Sequence, residues 1–227
     1  MSATGRSNVR EQHDEDFYGT PAWCTRAILR ILGEPHPVLD PCAGERAILD
    51  VCDDVWDRQH TGFDLVDRGR PSISVRDALS PEPWGHSHGI VVTNPPYKLA
   101  LEFVQRAIVE VPTVAMLLRL PFLESVERQA FHQKHPADIY ILSKRPSFCA
   151  VVACASGERK KGCGWRVSLA VDAPRPKACV LCAGPTKVTT SDATAYAWFV
   201  WGTDRGGRWE IIPHTAMLPG SGGRDGA

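Results

Sequence analysis

Two sets of residues in this sequence are placed to do chemistry. One is an Asn-Pro-Pro-Tyr corner at Asn94, Pro95, Pro96 and Tyr97; the other is a series of acids, Asp40, Asp64 and Asp77, that close short apolar runs upstream of it. Over His88–Thr93 a β-branched apolar run stops abruptly at the corner. Consecutive prolines can neither continue a ladder nor open a helix with normal hydrogen bonds, so the chain must leave its sheet at Asn94. The strand thus delivers Asn94 to its carboxyl end, the edge where open α/β sheets put their ligand chemistry. The prolines stiffen the backbone, leave its carbonyls without nearby intrachain donors, and set an amide side chain close to an aromatic ring. Such a corner can grip a flat group that carries an amino function. Taken alone, the four residues could equally be a Pro-rich turn with Tyr97 as packing.

The elements that must position these residues follow in chain order. Thr20 is a good N-cap and Pro21 a good first helical residue, and Ala27, Ile28, Ile31 and Leu32 recur at helical spacing until Gly33 stops the helix. Val38–Asp40 reads as a strand, Pro41-Cys42-Ala43-Gly44-Glu45 as a tight turn, and Ile48, Val51, Cys52 and Val55 as a helix face. His60–Asp64 and Ile73–Leu79 repeat the pattern of a short strand with an acid, and Asp64 follows the glycine turn at the spacing where a carboxylate can accept both hydroxyls of a ribose. Leu101, Val104, Ile108 and Val111 then make a helical stripe. A strand over Thr113–Leu120, a helix carrying Val126, Ala130 and Phe131, and a strand over Asp138–Leu142 come next. Ala195–Trp201 carries aromatic and β-branched residues on both faces, which predicts a central strand covered on both sides. Beyond Gly202 the sequence is rich in Gly and Arg and reads as an irregular end.

A chain of 227 residues, 43% of them hydrophobic, suits one domain with an elaboration. No leader-like segment opens it and no run approaches the roughly 18 apolar residues of a membrane span, so the expectation is a cytoplasmic protein without a membrane partner. Lys and Arg balance Asp and Glu at 26 each, and a nucleic-acid partner would therefore have to meet a local basic surface. Eight cysteines without a secretory signal favour thiols or metal ligands over disulfides. Cys24, Cys42 and Cys52 sit in apolar periodic segments and read as buried thiols, whereas the other five crowd between Cys149 and Cys182.

Those five lie in a connection, residues 149–192, too long to be a structureless loop of a compact domain. Cys154, Cys163, Cys179 and Cys182 could close a tetrahedral structural zinc site and supply folding energy that so short a segment lacks. Cys149 is a fifth candidate, and small apolar residues in β-structure are the competing reading. The insert also holds Arg159, Lys160, Lys161, Arg166, Arg175, Lys177 and Lys187 against Glu158 and Asp172. Lys160, Lys161 and Arg166 are thus candidate phosphate contacts for target recognition.

Together these motifs resemble the amino-methyltransferases that use S-adenosylmethionine. The wording Leu-Leu-Arg-Leu-Pro-Phe-Leu-Glu over residues 117–124, with Lys-Arg-Pro-Ser-Phe over 144–148, is similar to phage and prophage DNA methyltransferases in particular. The resemblance covers residues 16 to about 148 and again 195–201, while the insert matches nothing in it. It implies a Rossmann-like class I α/β fold: a seven-stranded, mostly parallel sheet ending in an antiparallel hairpin of the strands near 140 and 198. The methyltransferase domain would span 16–148 and 193–212, with the Cys-rich basic insert at 149–192 and flexible tails at 1–15 and 213–227. Phe17, Tyr18, Thr20 and Pro21 would lie against the methionine part of the cofactor, although the family usually lacks the intervening Gly19. Asp40, Pro41, Ala43 and Gly44 match the cofactor turn Asp-Pro-x-x-Gly-x-Gly, with Asp40 meeting the methionine ammonium and Arg46 standing where the last glycine is expected. Asp64 would take the ribose, Asp77 the adenine amino group, and Asn94 would face both cofactor and substrate. Tyr97 and Phe148 would face the target base. The implied reaction is methylation of adenine N6 in double-stranded DNA. RNA amino groups or a protein glutamine amide are the alternatives within the same chemistry, and a catalytically inactive nucleic-acid-binding module, favoured by Arg46, is the alternative outside it.

Overall fold

The computed structural model describes residues 19–85, 89–154, 166–170, 176–178, 183, 186–189, 194–203 and 206–213; for 149–154, 166–170 and 187–189 it describes the backbone alone. Helix α1 (Ala22–Leu32) leads into strand β1 (Val38–Asp40), helix α2 (Ala47–Val55), and strands β2 (Thr61–Asp64) and β3 (Ile73–Val75). Strand β4 (Ile90–Thr93), helix α3 (Ala100–Glu110), strand β5 (Thr113–Arg119), helix α4 (Val126–Lys134) and strand β6 (Asp138–Leu142) follow. Strands β7 (Cys149–Cys154), β8 (Arg166–Ala170) and β9 (Thr186–Thr189) precede β10 (Tyr196–Trp201) and β11 (Trp209–Ile212).

The main sheet has eight strands in the order β11-β6-β10-β5-β4-β1-β2-β3. All its pairings are parallel except those of β10, which runs antiparallel to both β5 and β6. This is the expected Rossmann-like sheet with its antiparallel hairpin of β6 and β10, extended by one strand. The extra strand, β11, lies in a stretch that composition assigns to an irregular end. It pairs with β6, and Asp138 fixes its entry by accepting the Arg208 amide at 2.9 Å and the Thr203 hydroxyl at 2.7 Å. The insert strands β8-β7-β9 form a separate three-stranded antiparallel sheet.

Because every strand residue alternates between faces, each buried strand must satisfy two helical layers at once. Trp198 and Val200 join Ile28, Leu29, Leu49 and Cys52 of α1 and α2 on one face, whereas Ala197, Phe199 and Trp201 join Phe103, Val104 and Ala107 of α3 on the other. All six residues of β10 are buried, as a central strand requires. The α3 stripe is rotated from its expected centre: Ala100, Phe103, Val104 and Ala107 are buried, while Leu101 and Ile108 lie at its margin. In α4 no residue is buried, Val126 is 89% exposed, and Phe131 and His132 pack inward, His132 edge-on against Phe122 at 5.3 Å.

Strand order reverses between β1 and β4: from β1 the chain steps outward to β2 and β3, then returns to lay β4 on the other side of β1. Such a switch point opens a crevice at the carboxyl ends of the two strands, which here are Asp40 and Thr93. Beside it β2 must pass close under the turn after β1. A Cβ on Gly62 would stand 2.6 Å from the Ala43 Cβ and 2.8 Å from the Asp40 carbonyl oxygen, so no side chain fits there. Gly62→Ala is therefore expected to destabilise the fold by about 2 kcal/mol or more, through displacement of backbone rather than of a pliable side chain; denaturant unfolding measures it, and unchanged stability would contradict this packing.

Candidate active site

The crevice is built on two carboxyl-terminal strand residues that hydrogen-bond to each other. Thr93 Oγ1 donates to Asp40 Oδ1 at 2.6 Å, and the Cys42 amide donates to the same oxygen at 3.0 Å. Both bonds fall on Oδ1, which leaves Oδ2 of Asp40 for a ligand. Asp40 is 1% exposed, and that burial pushes its carboxyl up to about 7, against the opposing pull of the Thr93 and Cys42 bonds. A carboxyl so placed is poised to ionise when a cation arrives.

The turn after β1 is held by Asp64 from the end of β2. Asp64 Oδ2 accepts the Gly44 amide at 2.8 Å and Oδ1 accepts the Val66 amide at 2.9 Å. A carboxylate has about four acceptor positions, so each oxygen keeps one beyond its backbone amide, with Arg68 Nε standing 3.9 Å from Oδ1 as an ion pair. Leu65, next in the chain, is 71% exposed at this spot. Asp77 lies two residues past the end of β3 rather than in it, exposed, and its side chain accepts the Leu79 amide at 2.8 Å.

Arg46 takes up the left-handed conformation, φ 71°, that the missing glycine would have supplied. Its guanidinium is engaged by Asp50 at 2.9 Å, by Asp53 and by the Pro71 carbonyl at 2.8 Å, so it clamps α2 to the loop before β3. None of these partners is Asp40 or Asp64, so the guanidinium is directed to α2 and the loop before β3 rather than to the acids of the turn.

Asn94 emerges from β4 as the proline signal requires, but its corner is more constrained than expected. Its Nδ2 donates to Thr20 Oγ1 at 3.1 Å, and its Oδ1 accepts the Tyr97 hydroxyl at 3.0 Å. Thr20 is therefore not a helix cap. The N-cap position of α1 is Pro21, without a side-chain cap bond, and Thr20 is buried against Asn94. The proline carbonyls also differ from expectation: that of Pro96 accepts the Leu99 amide at 2.9 Å as a short helical turn begins, so among the described residues the Pro95 carbonyl is the one left for a ligand.

Tyr97 is enclosed by two residues to which no recognised motif assigns a role, Arg119 and Tyr196. The guanidinium of Arg119 lies over its ring at 4.7 Å, and Tyr196 is 5.7 Å away between ring centres. Arg119 Nε donates to the Tyr196 hydroxyl at 3.0 Å, and Phe148 meets Tyr196 edge-on at 5.1 Å. Burial, reinforced by Tyr196, raises the Tyr97 phenol well above its ordinary range, so it stays a hydrogen-bond donor. Cys24 and Cys52 are buried thiols as expected, while Cys42 is only partly covered; burial raises all three above the ordinary thiol range.

The structure thus brings together Thr20, Pro21, Asp40, Pro41, Ala43, Gly44, Asp64, Asn94, Pro95, Pro96, Tyr97 and Phe148 along one sheet edge, with Asp77 on an outlying loop. Phe17, Tyr18, Lys160, Lys161, Cys163, Cys179 and Cys182 lie outside the described residues, as do the flexible tails expected at 1–15 and over most of 213–227. Cys154 ends β7 and Arg166 begins β8. Among the described residues no group of three or more His, Cys, Asp or Glu side chains is placed to hold a metal, and no helix is long and apolar enough to cross a membrane. Thr93, Arg119 and Tyr196 are the residues around Asp40 and Tyr97 that sequence reasoning missed. A threonine directly before Asn94, at the end of an apolar run, was the one local signal available.

Comparison with known proteins bears on the fold. The sequence matches no protein-family profile and no curated protein sequence. Among solved structures, a candidate RNA methyltransferase from Pyrococcus horikoshii is similar with a TM-score of 0.50 and 13% identity, over 82% of this chain and 87% of that one. The M protein of the type I restriction enzyme EcoKI gives 0.48 and 16% over 82% of this chain and 44% of its own. The 23S rRNA methyltransferase ErmE gives 0.44 and 15% over 86% and 72%. The chain has the Rossmann-like fold of methyltransferases.

The raised Asp40 carboxyl has a measurable consequence. Its folded-state value lies above its unfolded value of 3.8, so its contribution to stability is fully present below pH 3.8 and is lost as pH rises through about 7. Compared with Asp40→Asn, which does not titrate, the wild type should lose on the order of 2 kcal/mol between pH 5 and pH 8 in denaturant unfolding. A difference that stays flat with pH would refute the assignment.

Proposed function

We propose that this chain is an S-adenosylmethionine-dependent amino-methyltransferase that acts on adenine N6 in double-stranded DNA. The observation that carries the reading is the Thr93–Asp40 hydrogen bond at the switch point, which ties the strand end at Asp40 to the strand end from which Asn94 emerges. The donor set suits the cofactor. Oδ2 of Asp40 offers a buried acceptor to an ammonium group, Asp64 retains acceptor positions for two ribose hydroxyls, and the exposed Leu65 offers an apolar contact for a flat ring. When bound, S-adenosylmethionine supplies an electrophilic methyl group on a sulfonium.

The residues of the chain have to make an exocyclic amino group nucleophilic, since its lone pair is delocalised into the ring. Asn94 Oδ1 and the Pro95 carbonyl accept the two amino protons and localise that lone pair toward the methyl, while Tyr97 stacks on the base and fixes its plane. Transfer would be direct and in line, the N–C bond forming as the methyl–sulfur bond breaks and the surplus amino proton leaving to solvent, with no covalent enzyme intermediate. In a duplex the target base must be flipped out, at a cost of a few kcal/mol that aromatic stacking partly offsets.

A nucleic-acid substrate is favoured by the charge along the same edge. Lys98 follows Tyr97, and Lys144 and Arg145 follow β6, which runs parallel to β4 three strand spacings away, about 14 Å. All three are exposed, and none is in an ion pair among the described residues. Cations in that state suit a phosphodiester backbone better than a protein glutamine.

Transfer of labelled methyl to duplex DNA, followed by nucleoside analysis, is expected to give N6-methyladenine and to fall at least about 100-fold in Asn94→Ala. Label appearing in RNA or protein instead would keep the mechanism and replace the substrate. The double substitution Lys144→Ala, Arg145→Ala should weaken DNA binding at low salt and reduce the slope of log affinity against log salt by about 1 to 2; an unchanged slope would remove these residues from the interface.

A further inference from the structure

From the packing around Tyr97 we infer that Arg119 is a positioning residue for the substrate base: it backs one face of the Tyr97 ring, so that the base stacks on the opposite face in an Arg-Tyr-base sandwich. The inference rests on the proposed transfer to a planar amino-bearing base and adds to it a determinant that none of the recognised motifs contains.

The geometry comes from strand register. Tyr196 and Arg119 are cross-strand partners at the ends of β10 and β5, so both side chains arise at the carboxyl edge beside the end of β4. There the Arg119 guanidinium lies 4.7 Å from the Tyr97 ring centre and 5.9 Å from that of Tyr196, with its Nε donating to the Tyr196 hydroxyl at 3.0 Å. A guanidinium over an aromatic ring is held by the ring quadrupole and stacks as a plane. It closes that face to any other flat group. The Tyr97 hydroxyl is fixed in turn by Asn94 Oδ1 at 3.0 Å, and Asn94 by Thr20 at 3.1 Å.

The ring is therefore pinned at its hydroxyl and at one face before any substrate arrives, while Phe148 braces Tyr196 from behind at 5.1 Å. Its plane is set relative to the Asn94 oxygen, the same atom that has to accept an amino proton. A base entering on the face away from Arg119 meets a preorganised platform, and its amino group is brought to Asn94 and Pro95 without reordering Tyr97. Loss of Arg119 leaves Asn94 and the cofactor turn intact but frees the ring to tilt.

The test is a double-mutant cycle on the methyl-transfer reaction using Arg119→Met, Tyr97→Ala and the pair, with wild-type transfer to duplex DNA established first. S-adenosylmethionine affinity and thermal unfolding are followed for each variant. Arg119→Met is expected to lower kcat/KM about 5- to 30-fold with cofactor affinity unchanged, and to have no further effect once Tyr97 is Ala. An Arg119→Met effect that persists in full in the Tyr97→Ala background overturns the inference, because Arg119 would then act by another route. So does the absence of any effect in the wild-type background. Arg119→Lys, which keeps the charge but not the planar fork, should rescue only part of the loss; full rescue would reduce the role to charge and contradict the sandwich. A folded wild type that transfers no methyl to any substrate fails at the earlier step and overturns the proposed activity itself.

Discussion

The hydrogen bond from Thr93 to Asp40 is the constraint on which the rest of the site depends. It joins the last residue of β4 to the last residue of β1 across the switch point, so the turn that follows Asp40 and the corner that follows Thr93 cannot move independently. Each half is then secured from its far side: the turn by Asp64 through the Gly44 amide, the corner by Thr20 and Tyr97 through the two ends of the Asn94 amide. A methyl donor in one half and an amino acceptor in the other would meet at a separation fixed by sheet geometry. For an in-line transfer with no covalent chemistry by the protein, such positioning is most of what an enzyme can contribute.

The burial that makes Asp40 effective also makes it costly. Its carboxyl is held near the middle of the pH range because the fold removes it from water without supplying a cation. The neighbouring charge pattern avoids the same cost elsewhere. Arg46 is buried with Asp50, Asp53 and the Pro71 carbonyl around it, so a side chain that sequence comparison would regard as a defect in a glycine turn is absorbed as a clamp between α2 and the loop before β3. The left-handed backbone that glycine usually provides is kept, at the modest strain of a non-glycine residue in that region.

Much of this arrangement was legible in the sequence because local rules determine it. Two prolines force the exit at Asn94, alternation between acids and apolar runs marks the strand ends, and a run apolar on both faces marks β10. What was not legible depends on register between distant strands. Arg119 and Tyr196 meet only because β5 and β10 pair antiparallel with those two residues opposite each other, 77 positions apart in the chain. β11 was hidden because Trp209–Ile212 is short, largely exposed and flanked by Gly and Arg, and because its entry is set by a carboxylate on β6. The role of Thr20 was misassigned for a related reason: a threonine before a proline satisfies the capping rule, and only the tertiary approach of Asn94 shows that its hydroxyl is used elsewhere.

The central claim, that the crevice between β1 and β4 is a cofactor cradle whose walls are Asp40 and Asp64, is tested most directly by calorimetric titration of S-adenosylmethionine into the wild type and into Asp64→Ala. The account predicts saturable one-site binding to the wild type, weakened about 10- to 100-fold in the variant by loss of the carboxylate's hydrogen bonds. A folded wild type that shows no saturable binding, or an Asp64→Ala protein that binds as tightly as the wild type, would contradict it.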